Sequence, residues 1–87
     1  MAVLRVHPRI AWQVVAGEAI LLDLDNGRAI GLNETGTFLW PRLGTQDEGE
    51  LIDALADEFE VDRDMARRDL ERFVALLREN GFIQDTA

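Results

Sequence analysis

The segment Arg28-Ala-Ile-Gly-Leu-Asn-Glu-Thr-Gly-Thr-Phe-Leu-Trp40 decides the fold, because the chain changes there from strand patterns to helix patterns. Its beginning, Arg28 to Leu32, is an apolar run typical of a strand. Asn33 is a favoured helix N-cap, and Glu34 places an acidic side chain in the first helical turn. Pro41 cannot continue a helix without losing a backbone hydrogen bond. The segment therefore predicts a strand followed at once by a short helix.

Two further strands are predicted on the N-terminal side of this segment. Ile10 to Val15 alternates like a half-buried strand, and Ala19 to Leu24 follows after a short turn. Asn26-Gly27 then leads into the third strand, and Asn-Gly between two strands is a strong signal for a hairpin. Three strands joined by short turns predict an antiparallel meander whose first and third strands are edges. Residues 3–6 are assigned to a short lead-in strand.

Two longer helices are predicted on the C-terminal side. Thr45 and Glu48 have the spacing of a capping box and open a second helix that runs to about Glu60. Asp62 caps a third helix, and Asn80-Gly81 has the composition of a helix stop.

The third helix carries two rows of side chains at helical spacing. The core stripe consists of Ala66, Leu70, Phe73, Val74 and Leu77. The neighbouring row has an apolar residue at each end and a charge pair between them: Met65, Asp69, Arg72 and Leu76. This second row is too polar for a core, yet Leu76 is poorly suited to open solvent.

Three strands followed by three helices in 87 residues predict a single domain over residues 1–87. The expected class is α+β, a winged-helix-like arrangement in which the three-stranded antiparallel meander is followed by three helices packed on the sheet.

The composition excludes several classes of function. The chain has no Cys and a single His, so thiolate catalysis and Cys-based metal sites are ruled out and a metal site is not expected. A net charge of −8 without any Lys opposes contact with phosphate backbones and anionic membranes. The sequence has no apolar run long enough to span a bilayer and no signal peptide, so a cytoplasmic protein is expected.

Enzyme chemistry is not predicted for this chain. Nucleophilic catalysis needs a nucleophile, a base and an orienting group, but the chain has no Ser or Cys and its one His, His7, lies near the N-terminus. The glycines match neither a phosphate-binding loop nor a dinucleotide fingerprint. We therefore expect a non-catalytic binding module without a cofactor.

The predicted third strand is an edge without the usual protection by Lys, Pro or inward charge. Ala29 and Gly31 are small, so another backbone can approach closely, and an extended peptide can pair with such an edge. If the third helix lies beside it, apolar walls come from Ile30, Leu32, Phe73 and Leu76, and polar groups come from Asp69 and Arg72. The alternative is that this edge is the rim of a small core, covered by the N-terminal segment or by a second copy.

The ordered motifs resemble the PqqD-like family. They are Leu-Leu-Asp at 21–23, Asn-Gly at 26–27, Gly-Leu-Asn-Glu-Thr-Gly-Thr-Phe-Leu-Trp at 31–40, Leu-Ile-Asp-Ala-Leu at 51–55, Asp-Leu-Glu-Arg-Phe-Val-Ala-Leu-Leu at 69–77 and Asn-Gly-Phe-Ile at 80–83. The resemblance extends from about Ile10 to Ile83 and is carried by the combination, since no single motif is specific.

The resemblance implies a function as well as a fold. Members of the family recognise the leader of a ribosomally made precursor peptide and deliver it to a modifying enzyme. Carried over by position, the leader would lie as an added strand along Arg28 to Leu32, against Asp69, Arg72, Phe73 and Leu76. The implied partner enzyme is a radical S-adenosylmethionine enzyme in pyrroloquinoline quinone (PQQ) biosynthesis or a separate protease in lasso-peptide biosynthesis, and the sequence leaves both open.

Two other hypotheses remain open from sequence. A winged-helix DNA-binding protein is suggested by five arginines on the last helix, but nearby carboxylates leave that helix near neutral. A structural subunit is the second, in which an edge strand or Trp12 pairs with another copy to form a homodimer.

Overall fold

The computed structural model describes residues 5–6 and 9–84. Its strands are β1 (Arg5–Val6), β2 (Ile10–Val15), β3 (Glu18–Asp23), β4 (Arg28–Gly31) and β5 (Ile83–Gln84). Its helices are α1 (Glu34–Leu39), a 3₁₀ turn (Trp40–Arg42), α2 (Glu48–Phe59) and α3 (Arg63–Glu79). The predicted order of three antiparallel strands followed by three helices is confirmed.

Strands β2, β3 and β4 form an antiparallel meander with β3 in the centre. The β2–β3 connection is a two-residue turn in which Ala16 and Gly17 both have positive φ, 54° and 84°. Positive φ at both positions is the backbone requirement of a type I′ hairpin turn. At the second connection only Gly27 has positive φ, so the predicted Asn-Gly hairpin forms with a different turn.

Asp23 explains this second turn. Its side chain is almost fully buried, and its carboxylate accepts hydrogen bonds from the backbone N–H groups of Asp25 and Asn26 at 3.0 and 3.2 Å. It also accepts a 2.8 Å bond from the Asn26 side-chain amide. A buried carboxylate needs such donors, because an unsatisfied one is costly. The buried Asp23 carboxylate thus holds the turn from inside the fold, and the exposed Asn26 side chain is one of its donors.

The core lies on the face of β3 that carries Ala19, Leu21 and Asp23. The opposite face, with Ile20 and Leu22, is exposed. Because both faces of the strand carry large apolar side chains, the sequence pattern alone did not indicate which face is buried. Leucines from the meander and all three helices complete the core, together with the aromatic side chains of Trp40, Phe73 and Phe82.

The junction between β4 and α1 matches the prediction. The Asn33 side chain accepts a 2.9 Å hydrogen bond from the N–H of Gly36 and so caps α1. Pro41 does not end the helical path at once, because it occupies the start of the 3₁₀ turn, where it needs no intrahelical donor.

The predicted capping box at Thr45 and Glu48 is wrong. The N–H groups of Thr45 and Gln46 both donate to the carbonyl of Arg42, so these residues still belong to the preceding turn. The capping box forms two residues later, between Asp47 and Glu50. Both residue pairs satisfy the three-residue spacing, and the turn selects between them.

Helix α3 begins after the predicted cap, since the Asp62 carboxylate accepts a 2.8 Å bond from the N–H of Met65. Beyond it, Gly81 has a φ of 77° and the N–H of Phe82 donates to the carbonyl of Leu77. Phe82 is fully buried, as expected for a hydrophobic contact after a helix stop. The core stripe is confirmed: four of its residues are buried, and Val74 is half-buried against them.

The chain ends are joined by a strand pair that the sequence did not predict. The lead-in strand exists at β1, but it pairs with β5 rather than with the meander. Residues 3 and 4, the rest of the predicted lead-in strand, lie outside the described residues. The pair leaves the meander with its own two edges, β2 and β4.

Gly36 positions α3 beside the meander. A Cβ atom at this residue would lie 3.0 Å from Phe73 Cε1 and 3.2 Å from Leu32 Cβ. Contacts this short are not tolerated without movement, so only glycine lets α1 sit this close to the Phe73 ring. The distance between α1, the end of β4 and α3 is therefore set by the missing side chain.

We predict that Gly36→Ala destabilises the protein. Overpacking costs about 1–3 kcal/mol, whereas glycine-to-alanine replacement in a helix gains up to about 1 kcal/mol. The net loss in the free energy of unfolding should be about 1 kcal/mol. It is measured by urea titration followed by the fluorescence of the two tryptophans.

Gly49→Ala in α2 is the matched control, because a Cβ atom at residue 49 would lie at an ordinary distance of 3.6 Å from the carboxylate of the N-cap residue Asp47. This variant should be as stable as the parent or slightly more stable. A Gly36→Ala variant that equals the Gly49→Ala variant in stability would contradict the packing argument.

Candidate functional site

The outer edge of β4 exposes backbone groups at alternate residues. The N–H of Leu32 donates to the carbonyl of Ala19 at 2.8 Å, and the register places Ile30 opposite Leu21. In an antiparallel pair, residues bonded to the neighbouring strand alternate with residues whose N–H and C=O point away from it. The groups of Ala29 and Gly31 therefore point outward, and β4 has no second strand partner within residues 5–6 and 9–84.

A cavity of about 280 Å³ lies between the end of this edge and α3. Its apolar surface comes from Leu32, Phe73 and Leu76. Leu76 has 40% of its surface exposed although it is a large hydrophobic residue. A concave apolar surface beside open backbone donors and acceptors is a common arrangement for binding an extended chain. We call the cavity together with the β4 edge the β4–α3 groove.

Six of the nine residues predicted for the site line the cavity. They are Gly31, Leu32, Asp69, Arg72, Phe73 and Leu76. Arg28 and Ala29 continue along the exposed edge without lining the cavity, and Ile30 is half-buried against the core. The structure thus brings the third strand and the third helix together. The sequence analysis could only assume that the helix lies beside this strand.

Two further lining residues, Asn33 and Thr35, were not predicted as part of the site. Both lie where β4 passes into α1, and Asn33 was interpreted only as a helix cap. The sequence could have indicated them, because they directly follow the predicted edge strand. Residues that follow an edge strand are placed to line the end of a groove along it. Asn33 therefore has two positions at once: its side chain caps α1 by accepting the N–H of Gly36, and the residue also lines the cavity.

The charged groups of the groove form an ion pair at its mouth. Arg72 Nη1 lies 3.2 Å from Asp69 Oδ1, with 73% of the Arg72 side chain and 27% of the Asp69 side chain exposed. An exposed pair of this kind contributes little to stability. The guanidinium can therefore turn towards a carboxylate or a carbonyl of a ligand at small cost, while the half-buried Asp69 remains in the wall.

Two other arginines of α3 are paired with carboxylates. Arg67 contacts Asp64 within the helix, and Arg63 contacts Asp53 of α2. The described part of the chain contains no group of three or more His, Cys, Asp or Glu side chains that could hold a metal ion. Among the helices described, none is both long and apolar enough to cross a membrane.

Comparisons with known proteins give a consistent result. Residues 18–83 match the family model described as Coenzyme PQQ synthesis protein D (PqqD). No protein with a curated description matches the chain.

Two solved structures are similar over nearly the whole chain. One is TbiB1 in complex with the TbiA(beta) leader peptide, with 27% identity, a TM-score of 0.86 and coverage of 95% of this chain and 98% of that one. The other is lasso peptide synthetase B1 complexed with the leader peptide, with 30% identity, a TM-score of 0.87 and coverage of 97% and 100%. With the family model matching from β3 to β5, the chain belongs to the PqqD family.

Proposed function

We propose that this protein is a non-catalytic recognition module that binds the leader of a ribosomally made precursor peptide and presents it to a modifying enzyme. The observation that carries the proposal is the open β4 edge beside the apolar cavity. The two similar structures support it, because both are complexes with leader peptides and they cover 95% and 97% of this chain.

Binding by strand addition follows from the outward groups of β4. An extended peptide placed along β4 would pair with the N–H and C=O groups of Ala29 and Gly31. Neither residue has a side chain that obstructs the approach, and a Cβ atom at position 31 would point into open space, with nothing within 4 Å of it. Main-chain pairing supplies affinity that is nearly independent of sequence, so selectivity must come from side chains.

Selectivity is assigned to the cavity. A peptide strand beside β4 directs alternate side chains towards α3. An apolar side chain at the right position would enter beside Phe73 and remove the exposed surface of Leu76 from water. A polar neighbour would meet Arg72 or Asp69 at the mouth. The groove thus favours a leader that combines an apolar anchor with a charged or polar residue nearby.

The partner enzyme is proposed as a separate polypeptide. A radical S-adenosylmethionine enzyme and a leader protease are the two classes that the family resemblance implies, and both are kept as candidates. The encounter is placed in the cytoplasm, where the ribosome releases the precursor. This protein would contribute position and local concentration, and the enzyme would contribute the chemistry.

We predict that Gly31→Pro abolishes leader binding. Proline removes the outward N–H of residue 31 and places its ring where the added strand must lie, whereas the bonds from β4 to β3 belong to neighbouring residues. Isothermal titration calorimetry with synthetic leader peptides measures the effect. Gly31→Ala is the matched control and should bind like the parent, because it keeps the N–H and its Cβ meets open space.

A second variant tests the cavity. Leu76→Ala should weaken leader binding about three- to eightfold, because complete burial of a leucine contributes about 1.5–3 kcal/mol and a ligand can cover only the 40% of Leu76 that is exposed. Met65→Ala is its control, because Met65 is 44% exposed on the same helix and does not line the cavity. Equal losses in the two variants would place the apolar anchor outside the groove.

A further inference from the structure

The meander has a second open edge, on the side opposite to β4. This edge is β2, Ile10–Val15, which is six residues long and pairs only with β3 among the strands described. The run Ile-Ala-Trp-Gln-Val-Val contains no charge and no proline, and its pairing with β3 is continuous, without a bulge. Exposed edges normally carry one of these protections.

The outward backbone groups of β2 can be assigned. Ala19 directs its N–H to the Thr37 hydroxyl and its C=O to the N–H of Leu32, so neither group is bonded to β2. Val14 lies opposite Ala19, and its own N–H and C=O must therefore point to the outer edge. By alternation, the groups of Trp12 and Ile10 do the same.

Large apolar side chains accompany these backbone groups. Trp12, Val14 and Val15 have 45%, 53% and 48% of their surfaces exposed. Trp12 lies edge-on to the buried Trp40, with ring centroids 6.5 Å apart, so one side of its ring is held in place by the fold. The edge therefore offers ordered apolar surface as well as hydrogen-bonding groups.

We propose that β2 pairs antiparallel with β2 of a second copy of this chain, about a twofold axis perpendicular to the sheet. An antiparallel pair of identical strands is self-complementary, as a twofold interface requires. The register centred on Trp12 uses the outward groups of Ile10, Trp12 and Val14. It places Ile10 opposite Val14 of the second copy, and the same faces of the two sheets remain aligned.

The charges near the edge agree with this register. No charged residue lies within β2, so like charges are not brought face to face. Arg9, whose Nε donates to Asp25 Oδ1 of its own chain at 3.1 Å, falls opposite Val15 of the second copy, whose neighbour across the sheet is Glu18. Opposite charges are thus placed on one face within reach of long side chains. The net charge of −8 on each chain opposes association at low ionic strength and is screened at physiological salt.

The pairing would produce a continuous six-stranded sheet with a β4 edge at each end. Both β4–α3 grooves remain open, so a dimer would carry two leader sites facing away from each other. This inference does not rest on the proposed function, because β2 takes no part in the groove.

The test is sedimentation equilibrium of the full chain at physiological salt, from micromolar to millimolar concentration. The parent mass should rise from 9.8 kDa towards twice that value. Val14→Lys places a charge on the edge and should weaken self-association at least about tenfold. Ile20→Lys, which adds the same charge on the exposed face of the central strand, should leave it unchanged.

Amide hydrogen exchange on the unchanged chain gives an independent result. Protection at Ile10, Trp12 and Val14 should increase with protein concentration, while Ala11 and Gln13 stay protected throughout by their bonds to β3. A constant mass of 9.8 kDa, concentration-independent exchange at Trp12 and Val14, or dissociation by Ile20→Lys rather than Val14→Lys would each overturn the proposal.

Discussion

The contact between Gly36 and the Phe73 ring is the constraint on which the groove depends. Because residue 36 has no side chain, α1 packs directly against α3, and Leu32 at the end of β4 joins the same contact. The spacing that results leaves Phe73 partly in the core and partly in the cavity wall. One packing contact therefore links the stability of the domain to the width of its candidate binding site.

Ala19 has a comparable role for the sheet. Its bonds to Leu32 and Thr37 tie the central strand to the end of β4 and to α1. The same bonds determine which residues of β2 and β4 have outward backbone groups, since hydrogen bonding alternates along each strand. The bonding of Ala19 thus fixes which backbone groups face outward at both edges. The proposed leader site lies at the β4 edge, and the proposed self-association site lies at the β2 edge.

Local patterns in the sequence were enough to predict the strand order, the Asn33 and Asp62 caps and the core stripe of α3, since each depends on residues close in sequence. The groove was predicted as two segments, and their meeting depends on the Gly36 contact, which is not a local property. The β1–β5 pair was missed for the same reason. The choice of Asp47 over Thr45 as the α2 cap depended on the preceding turn.

The most direct test of the central claim is an amide chemical-shift titration of the labelled protein with leader peptides from precursors encoded beside its gene. The account predicts shifts concentrated at Ala29, Gly31 and residues 69–76, with slowed exchange of the two outward amides of β4. Saturable binding whose shifts lie elsewhere, for example along β2, would contradict it.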